Sequence, residues 1–549
     1  MRRFGAVGAV ATCAVLAIGV SRAQDFAASC AALSAPPDGA GRVTEASFVG
    51  LGVLPTAGQR GPGDAPAHCL VRGRINERTG IDGKPYWIGY ELRLPESWNG
   101  KFLFQGGGGM DGVLRTALGV LPGGPTENGL GRGFAVVSTD AGHLQEPGPL
   151  GPFLFGLDPQ ARLDKGTNSI PTTDRAARAV IGKLYGRAPA RSYFVGCSNG
   201  GRQAMAATQL FPSLFDGVIA GAPAYRVPYA AMDAAFGTQQ LARIAPPLPD
   251  GTPDLGNALS AEELKTVADS VLERCDAADG LKDGMVFDTA ACRVDMRELA
   301  CKPGQNSACL PGPKTEALAA ILAGAKNKAG SLLYSRWVAD PGMAAPGWTA
   351  WRLGRPGASP PTAINAGLIP GSLAYVFNAP PERPTDLYAY TLAYDLDRDP
   401  PKVEKPADGF PPGRQFETAT SADLDLFRGR GGKILFHHGT ADPIFSALDT
   451  VAYLDDLGVR YGADTGDFAR LFLVPGMNHC GGGPTTDNFD ALAALETWVD
   501  TGEAPQSMVA RASAGAPWPG RSRLLCPYPK VGRYKGAGDP ESAVSFECR

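Results

Sequence analysis

One six-residue stretch, Gly196-Cys197-Ser198-Asn199-Gly200-Gly201, constrains this chain more than any other. It follows the apolar run Ser192-Tyr193-Phe194-Val195 and leads into Arg202-Gln203-Ala204-Met205-Ala206-Ala207, which has helical character. Strand, sharp turn and helix, with glycine on both sides of a serine, describe a nucleophile elbow. The small residues let a crowded turn push the Ser198 hydroxyl out at the top of a sheet, and the helix N-terminus behind it favours developing negative charge. The pattern is short, and in 549 residues with 72 glycines an ordinary Gly-rich turn also matches it. The surrounding elements decide between the two.

Upstream, residues 86–94 alternate as a strand, 95–100 turn, and Lys101–Gln105 reads as a second strand. Gly106-Gly107-Gly108-Gly109 follow at once. Four glycines permit close approach of a ligand to the backbone. After an early core strand they suit an oxyanion-hole amide, with Gly108 as the expected donor, whereas a flexible linker does not belong between a buried strand and a structured segment. Residues 134–138 are a continuous apolar strand; Asp140 and His143 after it are expected to hold a loop beneath the site, because a better acid and base come later. A helix is expected from Asp174, capped by that residue or Thr173, to Tyr185. Alternating buried strands and helices call for an α/β fold with a mainly parallel sheet covered on both faces.

The strand at 433–438 ends in His437-His438-Gly439-Thr440-Ala441-Asp442, and the next, 470–474, leads to His479-Cys480. Serine, acid and histidine then stand in the chain order of alpha/beta hydrolases. In that reading His479 takes the Ser198 proton, Asp442 orients and stabilises the imidazole, and the amides of Asn199 and Gly108 bind the oxyanion. His437 and His438 are expected to pack or to support. Hydrogen bonding within the triad brings the tips of Ser198 and His479 to within about 3 Å, which places their neighbours Cys197 and Cys480 within reach of a disulfide.

Residues 225–415 are too many for a loop and are expected to form a lid domain inserted into a catalytic domain of residues 24–224 and 416–549. Its aromatics Trp337, Trp348, Trp351 and Tyr375 are expected to pack, with one or two free to line an aromatic substrate site. Between Cys275 and Cys292, Asp276, Asp279 and Asp283 stand at i, i+3 and i+7. They suit oxygen ligation of one Ca²⁺, though not with EF-hand spacing, or else a solvated acidic turn. A Cys275–Cys292 bridge would favour the rigid site.

Arg2 and Arg3, the apolar run 4–20 and Ser21-Arg22-Ala23 read as an export signal, residues 1–23, too short to span a bilayer. No later segment has the apolarity of a membrane span. Of eleven cysteines Cys13 leaves with the signal, and the remaining ten favour five disulfides in an exported chain. Cys30 and Cys69 are placed to staple the Ala-, Gly- and Pro-rich arm of residues 24–66 to the body. No CxxC pair suggests zinc, and a net charge of −3 without a basic run gives no reason to expect a nucleic-acid partner.

Gly-Cys-Ser-Asn-Gly-Gly-Arg at 196–202, Asp442, His479-Cys480, the Cys275-Asp276 run and the paired cysteines together resemble the tannase and feruloyl esterase family. The resemblance implies an alpha/beta hydrolase core with an inserted lid, a Ser-His-Asp triad, and a structural Ca²⁺ held by Asp276, Asp279, Asp283 and the carbonyls of Leu281 and Met285. It implies bridges Cys30–Cys69, Cys197–Cys480, Cys275–Cys292, Cys301–Cys309 and Cys526–Cys548. The expected protein is a secreted or periplasmic serine esterase acting on small esters of aromatic acids such as gallate, ferulate and related hydroxycinnamates. The alternative is a terephthalate monoester hydrolase. That specialised member uses a lid arginine on the free carboxylate, whereas residues 360–374 contain none and Arg352 and Arg355 lie earlier. A catalytically silent calcium-bearing binding protein and a peptidase are the remaining readings.

Overall fold

The computed structural model describes residues 24–35, 37–56, 63–120 and 127–549. The expected export signal lies outside the described residues. Nine strands form one sheet: β1 (Arg42–Val49), β2 (His68–Thr79), β3 (Pro85–Pro95), β4 (Lys101–Gln105), β5 (Ala135–Thr139), β6 (Arg191–Cys197), β7 (Gly217–Gly221), β8 (Lys433–Gly439) and β9 (Ala469–Val474). Their spatial order is β1-β2-β3-β5-β4-β6-β7-β8-β9. The β1/β2, β2/β3 and β3/β5 pairs are antiparallel, and every pair from β5/β4 to β8/β9 is parallel. This large mixed sheet with helices on both faces has the organisation of an α/β hydrolase.

Period-two alternation divides the core between the two faces. Phe102, Phe104, Phe194, Val218, Ile434 and Phe436 pack on one side with helices α1 (Ser169–Tyr185) and α2 (Asn199–Leu210). Leu103, Val136, Tyr193, Val195, Ile219 and Leu435 pack on the other with Leu495 and Trp498. Strands buried on both faces are apolar over most of their length, which is why β4 to β9 are legible as runs.

Two expectations change. The arm of residues 24–66 contains β1, an edge strand paired antiparallel to β2 over seven registered residues, and is stapled by Cys30–Cys69 at a Cα separation of 5.6 Å. Helix α1 begins at Ser169, a turn before Asp174, because it continues directly from Pro159–Leu163 and a π-helical turn, Asp164–Asn168. The cap lies further back, where Asp158 accepts the Ala161 N–H at 2.7 Å, and Asp174 pairs with Arg178.

Residues 222–432 leave the sheet after β7 and return to it at β8. They fold into helices that include α3 (Val227–Ile244), α4 (Ala261–Cys275), α5 (Pro346–Arg352) and α6 (Ile364–Gly371). This insertion has an apolar cluster of its own around Leu264, Val271, Leu318 and Trp348. A second cluster, containing Met232, Leu373 and Phe377, meets Met110, Ile444 and Phe445 of the sheet region. The insertion is therefore packed over the carboxyl ends of the strands.

Candidate active site

Ser198 sits between β6 and α2 at φ 65° and ψ −127°, a backbone conformation that side-chain-bearing residues rarely adopt. The turn is held by its own hydrogen bonds. Ser198 N–H donates to Gly221 O, and Ser198 O accepts from Arg202 and Ala224, each at 3.0 Å. The glycines are required by crowding: a Cβ on Gly196 would lie 2.5 Å from Gly200 O, and one on Gly200 would lie 2.6 Å from Gly107 O. Asn199 opens α2, so its N–H has no preceding helical turn to accept it.

His479 Nδ1 lies 2.7 Å from Asp442 Oδ2. The other carboxylate oxygen accepts the N–H groups of Ile444 and Phe445 at 2.9 and 3.0 Å. Burial alone would raise the Asp442 carboxyl; the charge of His479 and hydrogen bonds from His438 and His479 overcome it and hold the group well below the usual carboxylate range. His438 Nε2 stands 3.5 Å from Asp442 and its Nδ1 2.8 Å from Thr450 Oγ1, so it supports the acid. His437 is packed edge-on against Phe489 and burial pushes it down to about 3. Cys197 and Cys480 are bridged, with Cα atoms 6.1 Å apart, and all five expected disulfides are present.

Ser198, Asn199 and His479 line one cavity of about 220 Å³. Its walls are mostly apolar: Trp351, Leu368, Ile369 and Phe377 come from the insertion, and Ile444 and Phe445 from the loop after β8. Of the four expected aromatics only Trp351 lines it. Trp348 is buried in the insertion core, Trp337 donates to Asp233 Oδ2 at 2.9 Å, and Tyr375 donates to Pro384 O at 3.0 Å. Phe445, Ile444 and Leu368 carry no signal in the sequence, because an apolar wall drawn from separate segments leaves no local pattern, and Lys165 carries none because its partner Glu417 is 252 residues away.

Gly109 and Met110 also line the cavity, while Gly108 stands one residue back with its carbonyl accepting Asp111 N–H at 3.0 Å. Asp140 and His143 lie in a loop that meets the segment just after this turn. Asp140 O accepts Gly112 N–H at 2.9 Å, its carboxylate accepts Gly89 and Gly142 N–H, and His143 stacks on Phe155 at 3.8 Å. Burial drives Asp140 up to about 8, and His143 down to about 3 with help from the Lys165 charge.

A sequence profile of the family described as Tannase and feruloyl esterase matches residues 69–549. The chain belongs to the tannase and feruloyl esterase family. This family member is 42% identical over 519 residues to the mono(2-hydroxyethyl) terephthalate hydrolase of Piscinibacter sakaiensis, across 88% of this chain and 85% of that one. It is 28% identical over 492 residues to a probable feruloyl esterase B of Aspergillus clavatus, across 84% and 83% of the two chains. The crystal structure of feruloyl esterase B from Aspergillus oryzae shares the fold, with a TM-score of 0.76 at 23% identity over 95% of this chain and all of that one. The protein is a carboxylic ester hydrolase.

In this esterase the acidic turn of the insertion is tightly self-bonded. Asp276 accepts N–H groups of Asp283 and Gly284, Asp279 those of Leu281 and Phe287, and Asp283 that of Met285. Arg523 from the C-terminal segment pairs with the other Asp283 oxygen. Burial, with the charges of Asp283 and Asp276, pushes Asp279 up to about 7 against the Leu281 N–H. The hard oxygen donors fit Ca²⁺ chemically. Among the described residues, however, no three acidic, His or Cys side chains form a metal cage by themselves.

Proposed function

We propose that this chain is an exported serine esterase that cleaves small esters of aromatic acids through an acyl-enzyme. The observation that carries the mechanism is the 2.7 Å His479–Asp442 pair, with His479 and Ser198 lining one cavity. Ser198 Oγ attacks the ester carbonyl carbon and its proton passes to His479 Nε2. Collapse breaks the bond to the alcohol oxygen, which takes that proton. Water then attacks the acyl-enzyme, giving a proton to His479, and Ser198 is released with the free acid.

The carbonyl oxygen becomes negative in both steps and requires preorganised N–H donors. Asn199 N–H is one. In the glycine turn Gly106 and Gly107 N–H are engaged by Val195 O and Gln203 Oε1, so the second donor falls to Gly108 and the residues beside it. Residues 225–415 act as a lid that walls the cavity and excludes water, and Ca²⁺ in the Asp276–Met285 turn is structural rather than catalytic. Five disulfides support export, and among the described residues no helix is long and apolar enough to cross a membrane.

A cavity of about 220 Å³ suits a single-ring acyl group. The relative of Piscinibacter sakaiensis favours a second reading, a terephthalate monoester hydrolase. Against it, neither Arg352 nor Arg355 lines the cavity, and Lys165, its cationic lining residue, is paired with Glu417 at 2.7 Å. Hydrolysis of methyl ferulate, methyl gallate and mono(2-hydroxyethyl) terephthalate, each with wild type and Ser198→Ala, tests both. Full activity of the alanine variant would refute the mechanism, and a kcat/KM highest on the terephthalate monoester would select the second reading.

A further inference from the structure

Four charged side chains are buried beneath Asn199, and the triad chemistry uses none of them. Lys165 and Arg202 are 1% and 0% exposed, and Glu417 and Asp111 0% and 7%. Lys165 Nζ lies 2.7 Å from Glu417 Oε1 and 3.3 Å from Asn199 Oδ1. Arg202 Nε lies 2.9 Å from the same Asn199 oxygen and 3.1 Å from Glu417 Oε2. Asn199 Nδ2 donates to Asp111 Oδ1, and Gln203 Nε2 donates to Asp111 Oδ2 at 2.9 Å. Gln203 Oε1 in turn accepts Gly107 N–H at 3.0 Å.

Burying charges costs several kcal/mol per ion, and a well-packed apolar cluster of similar volume is often as stable or more so. Stability alone is thus a poor reason for this cluster. Its placement gives a better one. The groups come from the glycine turn, the π-helical turn before α1, the elbow helix and the end of the insertion, and they converge on the residue that follows Ser198. Asp111 is itself held at φ 55°, and its side chain fills the space that a Cβ on Gly107 would need.

We propose that Asp111 is a positioning residue that fixes the Gly106–Met110 turn against the first turn of α2, with Lys165, Arg202 and Glu417 anchoring Asn199 from the opposite side. The two backbone donors for the carbonyl oxygen, one on each segment, are thereby held at a set separation. The proposal rests on the serine-esterase reading above. Asp111 accepts from two amides and so must be a carboxylate; burial raises it to about 6, against the opposing influence of Lys165 and Gln203, which leaves it ionised at neutral pH.

The test is Asp111→Asn, with Glu417→Gln as a probe of the far side. A carboxamide has one acceptor oxygen, so its NH₂ would face the Asn199 or the Gln203 amide. Expected is a kcat on methyl ferulate about 10- to 100-fold lower. The inhibition constant of phenylboronic acid, which forms a tetrahedral adduct on the serine, should rise by a similar factor. KM and inhibition by ferulic acid should stay within about twofold, because ground-state binding does not use the donors. Glu417→Gln should shift the same quantities in the same direction, by less. If Asp111→Asn does not fold, Gln203→Met removes the same clamp and carries the test. An unchanged kcat overturns the proposal, and so does a loss shared equally by KM, ferulate and boronate, which would mean a loosened pocket. Failure of the underlying mechanism is separately visible, as an active Ser198→Ala and no fluorophosphonate labelling of the wild type.

Discussion

Trp351 meets His479 edge to face, with ring centroids 5.3 Å apart and planes at 83°. One residue belongs to the insertion and the other to the loop after β9, so this contact joins the cavity wall to the base. Phe445 approaches the same imidazole at 5.4 Å. Trp351→Ala opens the wall and removes one of two rings that confine His479. We expect kcat/KM on aryl esters to fall about tenfold, roughly 1.4 kcal/mol of transition-state stabilisation. Steady-state kinetics check it, and an unchanged kcat/KM would show that the contact is incidental.

Cys197 and Cys480 adjoin the nucleophile and the base. Replacing both with alanine removes a cross-link that spans 283 residues of sequence. Loss of a native disulfide of this kind costs about 2–5 kcal/mol, and the base is no longer tied to the elbow. Calorimetry should show a lower melting temperature, and kcat should fall more than KM rises. Retention of both values would deny the bridge either role.

The structural Ca²⁺ proposed for the Asp276–Met285 turn would make stability, but not chemistry, depend on the metal. Chelation should lower the melting temperature while initial rates at 25 °C persist. Restored Ca²⁺ at 100 times its Kd should return about 2.7 kcal/mol. Asp276→Asn should abolish the response, and identical melting curves with and without chelator would remove calcium from the account.

His143 is kept neutral by burial and by the nearby Lys165 charge, with its pKa pushed down to about 3. Unfolded, it titrates near 6.5. Below that pH the unfolded chain takes up a proton that the folded chain refuses, so this group's contribution is complete above about pH 7. It shrinks by about 1.4 kcal/mol per pH unit as pH falls from 6.5 towards 3. The stability of wild type minus that of His143→Gln, from urea unfolding at pH 7 and pH 5, should therefore be lower at pH 5 by about 2 kcal/mol. A constant difference would mean that His143 is solvated or paired.

The parallel strands and the elbow were legible because burial on both faces and crowding at a turn leave strong local signatures in 101–105, 191–201 and 433–439. Asp442 and His479 were legible because chain order after successive strands is itself a constraint. The edge strand β1 lies in a stretch that reads as a surface arm, since a half-exposed strand among Gly and Pro alternates weakly. The lining of the cavity was largely illegible. Leu368, Ile444 and Phe445 look like any core residues, and Lys165, Arg202 and Glu417 like any surface charges, until the insertion folds back and brings 417 beside 165 and 202. Such proximity depends on tertiary closure alone.

The Cys197–Cys480 bond makes a covalent ring of everything between the elbow and the histidine loop, the whole insertion included. A single proteolytic cut inside that ring opens a chain without releasing a fragment. An enzyme nicked in its exposed insertion loops thus migrates as two pieces only after reduction, and in an oxidising environment nucleophile and base stay on one covalently joined molecule.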